Sequence, residues 1–279
     1  ANSCLTACEV ASTYPEHLVK HLTALKEQKA LNDADRIKSE IVHSFQATDN
    51  ELNQSDIDTE SSGSTCVCTI IIKQKLYMAN LGDSAAGMVC RGDGLWELKR
   101  LSRDHHPTQE EEANRVLRCG GRIDSIKSRS KDYLDSQGEH IGPLRVWKKY
   151  ENTPGLMMTR SFGDRIGHTI GLISIPEIKE FQIRDSDIGL ILGSDGLWEH
   201  LLYPEAAKAI KASLSQFNIM KGCLALLDLA EQGWIRETQE HPNSEQGVYI
   251  DDITCLIAIF APPGKRPLSR HNFNERSEE

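Results

Sequence analysis

The chain has 279 residues, with 32 Lys+Arg against 41 Asp+Glu and a formal net charge of −9. With 39% apolar residues and 20 glycines, it can bury a core without disulfide or metal staples, which argues against a disordered chain. The acidic balance has the wrong sign for a nucleic-acid binder that neutralises phosphates, and no apolar run approaches the roughly 20 residues that span a bilayer.

The first expected helix is residues 16–29, carrying Leu18, Leu22 and Leu25. A second covers 34–52, with Ile37, Ile41, Phe45 and Leu52 on one face. A polar stretch from Asn53 to Ser64 follows. Residues 65–72 and 75–81 then read as a hairpin, and 86–91 with 95–101 as another around Gly92-Asp93-Gly94. Thr108 and Glu111 have the spacing of a capping box, opening a helix that stops at Gly120-Gly121. Residues 124–155 are polar and read as a long loop or flap. Strands are expected at 178–183 and 188–192, helices from Pro204 to Leu214 and over 221–236, and a last strand at 253–260. Strands and helices come in blocks, which favours antiparallel sheets with helices packed outside. The strands are apolar on both faces, so the sheets should pack on each other as well as under helices.

The length fits one large domain, expected over 1–261 with a polar tail at 262–279. The N-terminus lacks the basic and apolar regions of a secretory signal. The chain begins Ala-Asn-Ser-Cys rather than with Met, as expected of a trimmed chain, a truncated one, or one that starts inside a longer protein. None of the eight cysteines forms a C-x-x-C pair. Cys66, Cys68 and Cys255 lie in β-branched runs and read as small buried apolar residues. A reducing, intracellular setting in cytoplasm or nucleus is the expectation.

Three segments share a form, an apolar run leading into Asp, with Gly or Ser directly before Asp83 and Asp195 and Gly247 within the run before Asp251. Asp83 follows Leu81-Gly82, Asp195 follows Leu192-Gly193-Ser194, and Asp251 follows Val248-Tyr249-Ile250. A carboxylate at the end of a buried strand is costly unless it is paired or binds a cation. Three such ends brought together would suit a hard cation, Mg²⁺ or Mn²⁺, rather than zinc.

These segments occur with Ser62-Gly-Ser-Thr65, Leu101-Ser-Arg-Asp-His105, Gly142-Pro-Leu-Arg-Val-Trp147 and Leu156-Met-Met-Thr-Arg-Ser-Phe-Gly-Asp164. In this order they resemble the metal-dependent type 2C protein serine/threonine phosphatases, from about residue 9 to residue 260. The resemblance implies an α+β fold, a four-layer α-β-β-α sandwich of two antiparallel sheets flanked by helices. It implies that Asp195 and Asp251 are ligands of a binuclear Mn²⁺ or Mg²⁺ centre, with Asp83 and Glu199 serving a weaker third site. It implies a phosphoprotein substrate, hydrolysed by metal-activated water. His105 and Arg160 to Asp164 fall in the family core and are expected to be structural.

The chain departs from the family at its start. An ungapped alignment back from Glu9 puts Ala1-Asn2-Ser3-Cys4 where the family has Asp-Gly-His-Gly, whose Asp bridges the metals. The upstream strands, with an Arg that grips phosphate, have no counterpart and are expected to be missing or diverged. Ala85 replaces a usual Arg, Asp252 a usual Asn and Glu199 a usual Asp. The chain by itself is thus expected to be a poor phosphatase. It is either part of an active enzyme or an inactive pseudophosphatase serving as a scaffold or binding module for a protein partner, monomeric or within a larger complex.

Overall fold

A computed structural model describes residues 2–92, 95–125, 142–215, 218–240 and 250–260. The tail expected at 262–279 and the middle of the expected flap, 126–141, lie outside the described residues.

The chain opens with helices α1 (Asn2–Glu27) and α2 (Ala34–Leu52). The first helix begins well before the expected residue 16 and carries Pro15 inside it. Proline removes a backbone donor and crowds the preceding turn, but the turns before it are held by packing: Val10 and Tyr14 are buried, and Tyr14 meets Phe45 of α2 edge-on at 4.7 Å. Residues 2–4 lie in the first turn of this helix. Asp33 caps α2, its Oδ1 accepting from the backbone N–H groups of Asp35 and Arg36 at 3.1 and 3.2 Å.

The strands follow as β1 (Gly63–Ser64), β2 (Cys66–Ile72), β3 (Lys75–Leu81), β4 (Ala85–Arg91) and β5 (Trp96–Arg100). After α3 (Glu110–Arg118) come β6 (Gly121–Asp124), β7 (Arg145–Lys148), β8 (Pro154–Leu156), β9 (Phe162–Gly163) and α4 (Arg165–His168). The chain continues through β10 (Glu177–Gln182), β11 (Asp187–Gly193), α5 (Asp195–Trp198), α6 (Tyr203–Ser215), α7 (Ile219–Glu240) and β12 (Cys255–Ile259).

One sheet has the order β10-β3-β2 and the other β12-β11-β4-β5, all neighbours antiparallel. Side chains alternate across each strand, and both faces are covered. Leu76 and Met78 of β3 meet Ala86, Met88 and Leu190 between the sheets. On the outer face, Tyr77, Ala79 and Leu81 pack under Ile37, Ile41 and Phe45. Across the molecule, Ala85, Val89 and Ile191 pack under Ile210, Leu226 and Ala230 of α6 and α7. The result is the four-layer α-β-β-α sandwich.

Three expectations need correction. The capping box at Thr108 does not form: Gln109 is the N-cap, without a side-chain bond. Glu111 reaches Arg103 instead, 3.3 Å away. The stretch 124–155 is not wholly loop, because β6, β7 and β8 make a small antiparallel sheet. Its inner residue Val146 is sealed against Val116, Ile170 and Leu172. Finally, Cys66, Cys68 and Cys255 are half-buried, not sealed. They sit on β2 and β12, which among the described residues are the edge strands of their sheets.

Candidate metal centre

Asp83 follows β3 at a tight turn. Gly82 has φ +99°, and a Cβ there would lie 2.3 Å from Thr65 Cγ2. The turn is held by His105: the Gly82 N–H donates to Nδ1 at 3.1 Å, and the Gly82 carbonyl accepts from the His105 N–H at 3.0 Å. His105 is fully buried. Burial, then the positive charge of Arg160, pushes its pKa down to about 3, so it stays a neutral acceptor. The Thr159 hydroxyl donates to its carbonyl at 2.9 Å.

Arg160 is engaged elsewhere, its Nη2 donating to Glu112 Oε1 at 2.6 Å. Glu112 is fully buried and also accepts from Arg115 at 2.6 Å and from the Thr159 hydroxyl at 2.5 Å. His105 and Arg160 are therefore framework, holding the turn and the core beneath it.

Asp195 begins α5, where β11 ends. The Gly196 N–H donates to its Oδ1 at 3.0 Å. The segment that carries Asp251 is drawn against this turn. Ser194 Oγ donates to the Asp252 carbonyl at 2.9 Å and accepts from the Thr254 N–H at 3.0 Å. A Cβ on Gly196 would stand 2.6 Å from the Asp252 carbonyl and 3.4 Å from Asp251 Cβ, so the close approach requires glycine. Two tryptophans fix the angle of α5: Trp198 Nε1 donates to the Ala85 carbonyl at 3.0 Å and Trp234 Nε1 to the Gly196 carbonyl at 2.8 Å.

Asp83, Asp195 and Glu199 line one cleft of about 200 Å³, together with Arg100, Asp104, His106, Met157 and Trp198. Asp251 does not line this cleft; its Cβ lies beside Gly196, and it is close enough to Asp195 to act on it by charge. The four carboxylates expected from the sequence are thus brought to one end of the sandwich. The crowded protein around Asp195, then the negative charges of Asp83 and Asp251, push its pKa up to about 6, against the opposing Gly196 N–H. Glu199 is raised too, by burial and then by Glu237 and Asp251, against the charge of His200. Carboxylates that raise one another's proton affinity are a set that a divalent cation would relieve. The set is open: no three of its donor atoms lie within 4.8 Å of one another. That suits a hydrated hard cation, which keeps several waters.

His106, Asp104 and Arg100 were not among the candidates. His106 Nε2 lies 3.0 Å from Asp83 Oδ2, and Arg100 donates to Asp104. Asp104 lies within the Leu101–His105 motif, and Arg100 and His106 flank it directly. A larger groove of about 360 Å³ beside the β2–β3 turn is lined by residues such as Leu31, Lys75 and Tyr77. No carboxylate lines it.

Fold and cleft define a two-sheet sandwich protein with a carboxylate-lined pocket where its strands end. The profile of "Protein phosphatase 2C" matches residues 6–232. The chain belongs to the protein phosphatase 2C family. It is 35% identical over 192 residues to probable protein phosphatase 2C 12 of Oryza sativa subsp. japonica, covering 68% of this chain and 46% of that protein. It is 32% identical over 248 residues to probable protein phosphatase 2C 64 of the same species, covering 88% of this chain and 52% of that protein. The chain thus spans about half the length of these relatives. Among solved structures it superposes on serine-threonine phosphatase 2C from Toxoplasma gondii with a TM-score of 0.66 at 19% identity, over 91% of this chain and 77% of that one. It also superposes on a C. elegans sex-determining protein with a TM-score of 0.63 at 21% identity, over 91% of this chain and 53% of that one.

Proposed function

We propose that this chain provides the divalent-cation pocket of a protein serine/threonine phosphatase, acting on phosphoserine and phosphothreonine in protein substrates. The observation that supports the reading is that Asp83, Asp195 and Glu199 line one cleft, with Asp195 raised to about 6 by burial and by its acidic neighbours, Asp251 among them. Asp195 and Asp251 would hold Mn²⁺ or Mg²⁺, with Asp83 and Glu199 completing the acidic wall. Such an ion lowers the pKa of bound water and neutralises phosphoryl oxygens.

The chain's own residues orient these groups. The N-terminus of α5 and the Ser194–Asp252 clamp set Asp195 against Asp251. The Gly82 turn, held by His105, presents Asp83. Arg100 and His106 are the cationic side chains lining the cleft, each tied to a carboxylate, Asp104 or Asp83. They are the groups placed to meet a phosphoryl anion on the cleft floor.

The test is phosphate release from a phosphothreonine peptide with millimolar Mn²⁺, measured for the chain and for Asp195→Ala. Slow release that depends on Mn²⁺ and that the substitution abolishes is the expected result. Release at the buffer rate in both would overturn the reading and leave the fold as a binding module.

A further inference from the structure

The most compact ligand-bearing group among the described residues lies away from the cleft, on the outer helical layer. Three donor atoms of His21, Glu40 and His43 lie within 4.8 Å of one another. We propose that these residues form a site for a borderline transition-metal ion of the Zn²⁺ type, clipping α1 to α2.

The two helices supply the ligands from facing sides. His21 comes from α1, while Glu40 and His43, three apart, share one face of α2. Both imidazoles address the same carboxylate oxygen. His21 Nδ1 is 2.6 Å from Glu40 Oε2, and His43 Nδ1 is 3.6 Å from it. With ligands about 2.1 Å from a tetrahedral ion, donor atoms stand about 3.4 Å apart. The His43 separation already has that span, and the His21 hydrogen bond must open by less than an ångström.

Two imidazole nitrogens and one carboxylate oxygen suit zinc rather than Mg²⁺ or Mn²⁺, which prefer oxygen alone. The fourth position has an entrance, because the His43 side chain is 52% exposed while His21 and Glu40 are each 26% exposed.

The scaffold beneath is fixed. Leu18, Leu22 and Leu25 on α1 and Ile37, Ile41 and Phe45 on α2 belong to one packed core. The donors are therefore held together before any ion arrives, which lowers the ordering cost of binding. A second contact runs beside them, with His17 Nε2 2.6 Å from Glu51 Oε2. This site does not rest on the proposed phosphatase activity, because neither α1 nor α2 lines the cleft.

The test is calorimetric titration of the full chain with Zn²⁺, repeated on an Asp195→Ala background so that binding in the cleft is separated. One Zn²⁺ should bind in both. His43→Gln and Glu40→Gln, at more exposed and more tolerant positions than the helix core, should each weaken that binding about tenfold or more. His21→Gln/His43→Gln should abolish it while circular dichroism stays that of the parent. Co²⁺ should give a visible tetrahedral absorption band in the parent and none in the double variant. Zn²⁺ binding unchanged in the folded double variant, or no Zn²⁺ bound by the parent, would overturn the proposal.

Discussion

Arg160 and Glu112 form a buried ion pair, Nη2 to Oε1 at 2.6 Å, with Glu112 fully enclosed. Arg115 and Thr159 share the same carboxylate. Removing one member of such a group strands the others' charge in a low-dielectric place, which costs about 3–5 kcal/mol. Glu112→Gln should therefore lower the urea midpoint sharply. Glu111→Gln next to it, at a side chain 78% exposed, should stay within about 0.5 kcal/mol of the parent. Equal midpoints for the two variants would contradict the assignment.

Acid should weaken the fold through His105. Its folded pKa of about 3 lies below the ordinary 6.5, because burial and then Arg160 disfavour the imidazolium. The unfolded state therefore binds the proton first. Stability from this residue is present above about pH 6.5 and is lost as pH falls toward 3. Glu112 acts in the same direction at lower pH: burial raises its pKa, but the hydrogen bonds from Arg115, Arg160 and Thr159 outweigh that and hold it well below 4.5. The expected result is that His105→Gln, though less stable at pH 7, loses less stability between pH 6.5 and 4 than the parent does, as followed by urea melts.

Mutual repulsion in the acidic cleft predicts opposite effects of one substitution with and without cation. Asp195→Asn removes a charge that Asp83 and Asp251 oppose. With chelator present, the variant should melt at a higher temperature than the parent. With millimolar Mn²⁺ the order should reverse, because only the parent gains binding energy, about 2.7 kcal/mol at a hundredfold excess over Kd. A parent whose melting does not respond to Mn²⁺ would count against a cation site here.

The contact between Gly196 and the Asp252 carbonyl predicts a positional effect. A methyl group at Gly196 would meet that oxygen at 2.6 Å, so Gly196→Ala must push the Asp251 segment away from Asp195. A loss of about 1–3 kcal/mol is expected for such overpacking, along with weaker Mn²⁺ binding in calorimetry. Ser194→Ala, which removes only the clamp bonds to Asp252 and Thr254, should weaken binding less.

Thiol reactivity should divide the cysteines by position. Cys4, Cys8 and Cys119 are exposed, whereas burial pushes the thiols of Cys90 and Cys255 up to about 11 and 12. Thiolate is the reactive form. Alkylation of the native protein at pH 8, followed by mass spectrometry, should label the first three rapidly, Cys255 more slowly and Cys90 only after unfolding.

Periodicity and turn residues were enough to locate α2, the β2–β3 hairpin and β10 in the sequence, since these depend on neighbours a few positions away. The order of motifs was enough to mark Asp83, Asp195, Glu199 and Asp251. Local pattern misplaced the start of α1, because Pro15 looks like a boundary until Tyr14 packs on Phe45. It missed β6 to β8, whose short strands gain their hydrogen bonds from each other rather than from any alternation of their own.

What the sequence determined alone was the family and the sheet-rich layering, both written in residue type and spacing. What only tertiary structure decided was distance. Asp83 and Asp195 lie 112 positions apart and share one cleft because β4 pairs with β11 and the sheet that holds β3 packs on theirs. His21 and Glu40 meet because two apolar helix faces lock α1 against α2. Long-range packing sets which charges face each other, and that is not encoded in any one segment.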